Sequence, residues 1–458
     1  MNNNRNEKQY IKMTQTPIPV LVSKLAVPTT ISMLITSIYS LADTFFVSQL
    51  STSASSAVGI VFSLQTIVQA VGFTLGMGSG SLLARRLGEK NKKAADTYAA
   101  TAFFTALAIG TIIMITGLLF TPQIMRLLGA TETNIGYTIA YGNYIIWGVP
   151  FICGSFVLNN ILRSEGKATL SMIGLCTGGI LNIVLDPIFI FTLKMETAGA
   201  ALATLISQAV SFVILISMFI FKKSNINLSI KNVSLKPKTY GEIIVTGMPS
   251  LSRQGLASVA TVLLNTAANP YGDAAIAAMS IATKVAMLVF CVCIGIGQGF
   301  MPVAGYNYGA KRFDRVRKAF KFTIITDTII MIGLAVSIFI FAPSIMKIFR
   351  AEDANVIEIG TAAMRAQCIA MPFMATTIVA NSLLQSVGKS LSATILSCCR
   401  QGLFFIPMIL ILPHIWQLTG IEYSQAISDA LTFLVSVPFT LWFFKNLKKE
   451  EQKITPTE

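Results

Sequence analysis

The stretch Pro28-Thr-Thr-Ile-Ser-Met-Leu-Ile-Thr-Ser-Ile-Tyr39-Ser-Leu-Ala-Asp43-Thr-Phe-Phe46 decides the fold. It is apolar over a membrane-spanning length, and it holds one carboxylate, Asp43, well inside. A charge at that depth costs about 2.5–3.5 kcal/mol or more, so such a residue is a functional-site candidate by default. Pro28 removes a backbone donor within the same run and can kink a helix. Tyr39 stands one helical turn before Asp43, which puts both on one face. The competing reading places Asp43 at a helix end near the headgroups. Phe45, Phe46 and Val47 continue the apolar run past it and weigh against that.

Working outward, the whole chain has the same character. Of its 458 residues 53% are hydrophobic and only 12% charged, against about 25% charged in soluble domains. The mean hydropathy of +0.68 agrees. A net charge of +15 invites a nucleic-acid reading. It is rejected, because the basic residues are spread over short loops between apolar runs, the pattern of membrane topology. The seven cysteines lie in apolar runs and His414 is the sole histidine. A metal site or disulfide framework is therefore not expected, and the cysteines read as small buried residues.

Twelve apolar segments are legible, at about 20–48, 55–84, 97–121, 134–158, 168–192, 198–221, 242–268, 276–303, 319–342, 358–381, 391–413 and 423–444. With the N-terminus cytoplasmic, the inside segments hold Lys8, Lys12, Arg85, Arg86, Lys90, Arg163, Lys167, Lys222, Lys223, Arg312, Lys389 and Lys445. The outside loops hold little beyond Arg126, Lys194, Lys347 and Arg350. That bias puts both termini in the cytoplasm of a cell-membrane protein. The domains follow: a tail at 1–19, a first lobe at 20–221, a basic linker at 222–241, a second lobe at 242–445 and a tail at 446–458.

The halves repeat. A shift of about 221 residues brings Pro28 onto Pro249, Gly88-Glu-Lys90 onto Gly309-Ala-Lys311, and Pro122 onto Pro343. One residue further on, Pro150 meets Pro372, Asn159 meets Asn381, and Ser164-Glu-Gly-Lys167 meets Ser386-Val-Gly-Lys389. Six spans per unit is an even number, so both units share one orientation, as in transporters built from parallel repeats. The predicted fold is an all-α membrane protein of twelve transmembrane helices in two six-helix bundles. Asp43 falls on Leu264, so carboxylate chemistry belongs mainly to the first half.

The second candidate carboxylate is Asp186, in Asn182-Ile-Val-Leu-Asp186-Pro187. Asn182 lies four residues earlier on the same helix face, and Pro187 frees carbonyl capacity nearby. Asn159 and Thr204 add oxygens. Together they make a hard-ligand set suited to a proton, or to Na⁺ at Asp43, Asp186 and Asn182. An outer helix end competes as a reading of Asp186. For Asn159, Asn182 and Thr204 taken singly, interhelical hydrogen bonding competes. Arg253 and Arg400 also enter spans; Arg400 reads as a structural residue that snorkels or caps carbonyls. Asp327 sits among Ile and Thr with no assigned role. Gly72, Gly76, Gly78 and Gly80, echoed by Gly295, Gly297 and Gly299, allow close helix approach. The 19 methionines and 29 phenylalanines suit an adaptable cavity.

These residues resemble the multidrug and toxic compound extrusion (MATE) family, over nearly the whole chain from Ser23 to Phe444. The carriers are Pro28 with Asp43, Gly88 and Lys90, Arg163-Ser-Glu-Gly-Lys167, Asn182 to Pro187, and Arg400-Gln-Gly-Leu-Phe-Phe-Ile-Pro407. The set Asp43, Asp186, Asn159, Asn182, Thr204 and Tyr39 is similar to the first-lobe cation site of the MepA-type and DNA-damage-inducible branch. The resemblance implies a V-shaped, two-lobed antiporter with a central cavity. It would work as a monomer, expel cationic drugs against inward H⁺ or Na⁺, and need no cofactor beyond the coupling ion. A lipid-linked saccharide flippase of the same superfamily fold is the alternative. It calls for a strongly cationic cavity to hold pyrophosphate, which the acidic first-half candidates oppose and Arg253 and Arg400 favour. An intramembrane enzyme is disfavoured by the single histidine and the absence of a nucleophile–base pairing.

Overall fold

The computed structural model describes residues 2–349 and 353–454; Arg350, counted above among outside charges, lies outside them. Long apolar runs with polar turns between them fold as long helices. They are α1 (Asn2–Gln15), α2 (Ile18–Ser48), α3 (Thr52–Gly88), α4 (Lys92–Leu119), α5 (Thr121–Leu127), α6 (Ile135–Ser164) and α7 (Ala168–Pro187). After them come α8 (Glu196–Ile220), α9 (Pro237–Ala268), α10 (Asp273–Gly309), α11 (Phe313–Phe349), α12 (Ala354–Ser386), α13 (Ser390–Cys398) and α14 (Phe405–Ile454). Among the described residues ten stretches are long and apolar enough to cross a membrane. The last, Ser390–Lys453, breaks at Gln417 (φ 51°, ψ −131°) and so supplies two spans. The 32-residue α9 completes the twelve; Glu242 and Arg253 make it less apolar than the rest.

Each lobe is built around one central helix. In the first, α6 packs against α3, α4 and α8; in the second, α12 packs against α10, α11 and α14. These two helices are the most enclosed of the spans. The repeat extends to individual hydrogen bonds. Asn159 Nδ2 donates to the Ser171 carbonyl at 3.3 Å, and its counterpart Asn381 Nδ2 donates to the Ala393 carbonyl at 2.7 Å. The turns after α6 and α12 carry left-handed glycines, Gly166 (φ 87°) and Gly388 (φ 84°), and close with equivalent bonds, Lys167 N to Leu162 O and Lys389 N to Leu384 O, both 2.9 Å.

The lobes meet at the end that carries the basic loops. There α2 lies on α10 and α3 on α9, the same pairing twice. Small residues make it possible. A Cβ on Gly78 would stand 2.1 Å from the Ile243 carbonyl oxygen, and one on Gly299 would stand 2.4 Å from Ala26 Cα. The glycine series therefore divides its labour: Gly72, Gly76 and Gly80 admit Phe156, Asn160 and Ser164 of α6 within the lobe, while Gly78 faces the other lobe. Tyr98 donates across to Glu242, Arg163 to Gln298 (2.5 Å), and Ser37 meets Cys291 Sγ at 2.8 Å.

The tail at residues 1–19 and the basic linker at 222–241 are both docked. Helix α1 bridges the lobes: Gln9 donates to the Glu165 carbonyl (2.6 Å), while the Met13 carbonyl accepts from Asn307 (3.1 Å) and the Thr16 carbonyl from Arg315 (2.6 Å). The linker lies along the first lobe, with Asn227 N bonded to Asp96 Oδ1 and Ser234 N to Thr101 Oγ1, both at 2.9 Å. Arg163, counted as a loop charge, is buried at 4% exposure in α6. It donates to Asn160 Oδ1 and lies against Met77 Sδ besides Gln298.

Candidate functional site

The acidic cluster forms where α2, α6, α7 and α8 converge, beyond the closed seam. Glycines let them converge. A Cβ on Gly179 would press on Ile35 and Tyr39 of α2, and one on Gly178 on Ser207 and Ser211 of α8. Helix α7 is thereby clamped between α2 and α8, which turns its last polar face, Asn182 and Asp186, inward. Pro187 then ends the regular ladder, because it has no N–H to offer the Ile183 carbonyl. A π-helical turn at Ile188–Thr192 follows; such turns recur at functional sites.

Tyr141 of α6 donates its hydroxyl proton to Asp43 Oδ2 at 3.0 Å. Asn182 Nδ2 donates to Asp186 Oδ1 at 3.1 Å and to Thr204 Oγ1 at 3.3 Å. Gln208 Nε2 reaches the Tyr39 hydroxyl at 3.5 Å. Asp43 and Asp186 are near enough to interact electrostatically, and Tyr141 lies within reach of Asp186 and Thr204 as well. The structure thus brings together Tyr39, Asp43, Asn182, Asp186 and Thr204. It keeps Asn159 apart: that amide is spent on Ser171, on the carbonyl and on Oγ at 2.5 Å, and ties α6 to α7.

What marks the cluster is the set of oxygens it leaves over. Asp43 Oδ1, Asn182 Oδ1 and Asp186 Oδ2 are buried and accept no hydrogen bond. Buried polar atoms are nearly always partnered, and an unmet one costs about 1–3 kcal/mol, more for a charged group. Three unmet acceptors together fit a proton or a hard cation. Among the described residues no group of three or more His, Cys, Asp or Glu could hold a metal. An ion here would have to be held by a mixed set of carboxylate, amide and hydroxyl oxygens, which suits a weakly held, exchangeable ion.

Tyr141 and Gln208 escaped sequence reading. A tyrosine and a glutamine in an apolar helix carry no charge signal, and their partners lie 98 and 169 residues away. Pro28 is half-buried within an unbroken α2, and Ser32 caps its carbonyl at 2.8 Å. Arg400, read as a structural residue, is held by an ion pair rather than by snorkelling or capping carbonyls. It forms an ion pair with Asp429 at 2.7 Å, with both side chains largely buried, and lies 4.5 Å over the Phe290 ring. Asp327, fully buried, accepts from Cys293 Sγ at 3.1 Å and leaves Oδ1 unmet.

Comparison with known proteins agrees with this architecture. The MatE family model matches residues 28–188 and again 249–411, one match per lobe. The chain is 28% identical over 413 residues to the multidrug export protein MepA of Staphylococcus saprophyticus, covering 90% of this chain and 91% of that protein. It is 25% identical over 432 residues to MepA of Staphylococcus aureus, covering 94% and 95%. Among solved structures it superposes on a MATE protein crystallised with MaL6 at a TM-score of 0.92, with 26% identity over 96% of this chain and 99% of that one. A multidrug resistance MATE family transporter in an outward-facing conformation gives 0.90, with 27% identity over 95% and 99%. Two matched lobes, a shared fold over nearly the full length and a twelve-span membrane architecture lead to one conclusion: the chain belongs to the MatE family.

Proposed function

We propose that this protein is an efflux antiporter, exporting cationic or amphipathic drugs and other toxic organic compounds in exchange for H⁺ or Na⁺ by alternating access. The observation that carries this reading is the trio of unmet oxygens on Asp43, Asn182 and Asp186. A buried carboxylate can be neutralised by a proton, by a metal cation or by a cationic substrate, but by one at a time. Competition for the site makes transport an exchange. The names of the MepA relatives support the direction and the cargo.

The basic loops would face the cytoplasm, with both termini. The seam is then a closed inner gate, and the described state opens outward. Asp43 and Asp186 fill the role of coupling residues, Asn182, Thr204, Tyr39 and Tyr141 orient them, and Pro28 and Pro187 mark where α2 and α7 can bend. A membrane potential of about 100 mV provides roughly 2.3 kcal/mol per charge, about a fifty-fold substrate gradient. The test is drug efflux from vesicles with an imposed pH or Na⁺ gradient. Efflux that tracks one gradient is expected; transport indifferent to both would overturn the exchange.

A further inference from the structure

The seam between the lobes is built as a symmetric pair, and one position breaks the pairing. A Cβ on Gly88 would stand 2.1 Å from the Tyr306 carbonyl oxygen. One on its repeat mate Gly309 would stand 2.1 Å from the carbonyl oxygen of Arg85, which is the mate of Tyr306. The backbones therefore cross in the same way twice, but the side chains do not. Arg85 reaches the second lobe and fills the hollow at the left-handed Gly388, where an added Cβ would come within 2.0 Å of its Nη1. The equivalent hollow in the first lobe is at Gly166, and by symmetry Tyr306 would fill it. Gln9 Nε2 and Met13 Sδ of α1 fill it instead, each 2.7 Å from where a Cβ would stand. The Tyr306 ring packs on Tyr10 of α1, with 6.1 Å between centroids.

Helix α1 thus takes the place on one side of the seam that Arg85 takes on the other, and it holds both lobes while doing so. On the first lobe Gln9 donates to the Glu165 carbonyl, Glu7 pairs with Lys90 at 3.6 Å, and the Lys90 ammonium lies 4.4 Å from the centre of the Tyr10 ring. On the second lobe Asn307 donates to the Met13 carbonyl and Arg315 to that of Thr16. Two lobes that separate cannot both keep one rigid helix. The helix is also suited to letting go. Among its described side chains only Gln9, Met13 and Thr14 are buried, so release uncovers a single large apolar group rather than a hydrophobic face.

We propose that α1 is a releasable clasp of the inner gate, which completes the seal at Gly166 and leaves one lobe each time the gate opens. Its role rests on the alternating-access reading and deepens it, because the clasp sets the balance between the two states. A helix that bonds to both lobes only while they are together favours the closed inner gate by the free energy of those bonds. The balance is thereby tuned by a segment ahead of the first span rather than by the ion site.

The experiment reads gate opening through Ser81→Cys. Ser81 is buried in α3 and faces a small void closed by Arg163 and, across the seam, by Gln298 and Met301. Alkylation by N-ethylmaleimide is followed by site-resolved mass spectrometry on the purified protein in detergent. No drug or gradient is present, so a failure of ion exchange leaves the reading intact. Cys153 and Cys293, each fully buried within one lobe, are the controls. Deleting residues 2–15 should speed labelling at position 81 about tenfold, the scale of one or two hydrogen bonds, with both controls still protected. Gln9→Ala combined with Met13→Ala empties the Gly166 hollow, keeps the helix and should give a smaller, severalfold rise. Arg85→Ala empties the opposite hollow and should act in the same direction. Labelling at position 81 that neither change in α1 alters overturns the proposal. So does a rise that Cys153 and Cys293 share, which would make α1 a general support of the fold.

Discussion

The two lobes share a scaffold and differ in what they hold. Asn159 and Asn381 make the same bond at the same place, and the loops after α6 and α12 turn through the same left-handed glycine. The ionisable groups do not repeat. Where the first lobe has Asp43, the second has Leu264, packed in a core with Ala260 and Phe405. Where the second lobe has Arg400 paired with Asp429, the first has Gly178 and Ser207. The first lobe leaves carboxylate oxygens of Asp43 and Asp186 unmet on two facing helices, α2 and α7, while the second closes its Arg400–Asp429 pair internally and leaves only the isolated Asp327 Oδ1 buried and unmet among its described carboxylates. A repeated frame can thus carry a reactive half and a braced half. A buried pair that is closed resists change, and a buried acceptor left open invites an ion.

The difference can be broken at graded points. Asp43→Asn keeps the shape and removes the titrating charge, so gradient-driven efflux should be lost while expression and insertion hold; vesicle efflux at matched protein measures it. Asp186→Asn should lose most of the coupling, because Asn182 still supports the site through Thr204. In the second lobe, Asp429→Asn strands the Arg400 guanidinium. It should cost about 3–5 kcal/mol of stability, read as a large drop in thermal midpoint. Leu264→Ala, the repeat counterpart of Asp43, should cost about 2–5 kcal/mol of packing and leave the dependence on ion gradient as in wild type. If Leu264→Ala abolishes coupling as thoroughly as Asp43→Asn, the division between the lobes is wrong.

How far this was legible in the sequence follows from the kind of signal each feature leaves. Span lengths, the parallel repeat and the carboxylates show as composition and spacing, because a membrane forces long apolar runs and makes a lone aspartate conspicuous. The docking of α1 and of the linker left no such mark. Gln9 and Asn227 bond to backbone and carboxylate groups far away in sequence, and nothing in a polar segment announces such partners. Asn159 was drawn into the site by its residue type, and only the geometry assigns it to Ser171. Arg163 looked like a topology charge because it precedes Ser-Glu-Gly-Lys, yet it turns inward from the last turn of α6 and crosses to Gln298. Tyr141 needed the third dimension altogether.

The central claim is that one site in the first lobe holds either the coupling ion or the drug. It is tested most directly by counting ions released when a cationic drug binds the purified protein, with protons followed by a pH indicator in weak buffer and Na⁺ by an ion-selective electrode. Wild type should release protons or Na⁺ in fixed ratio to bound drug. Asp43→Asn should release fewer at equal occupancy, and Leu264→Ala as many as wild type. Saturating drug binding with no ion released by wild type would contradict the account.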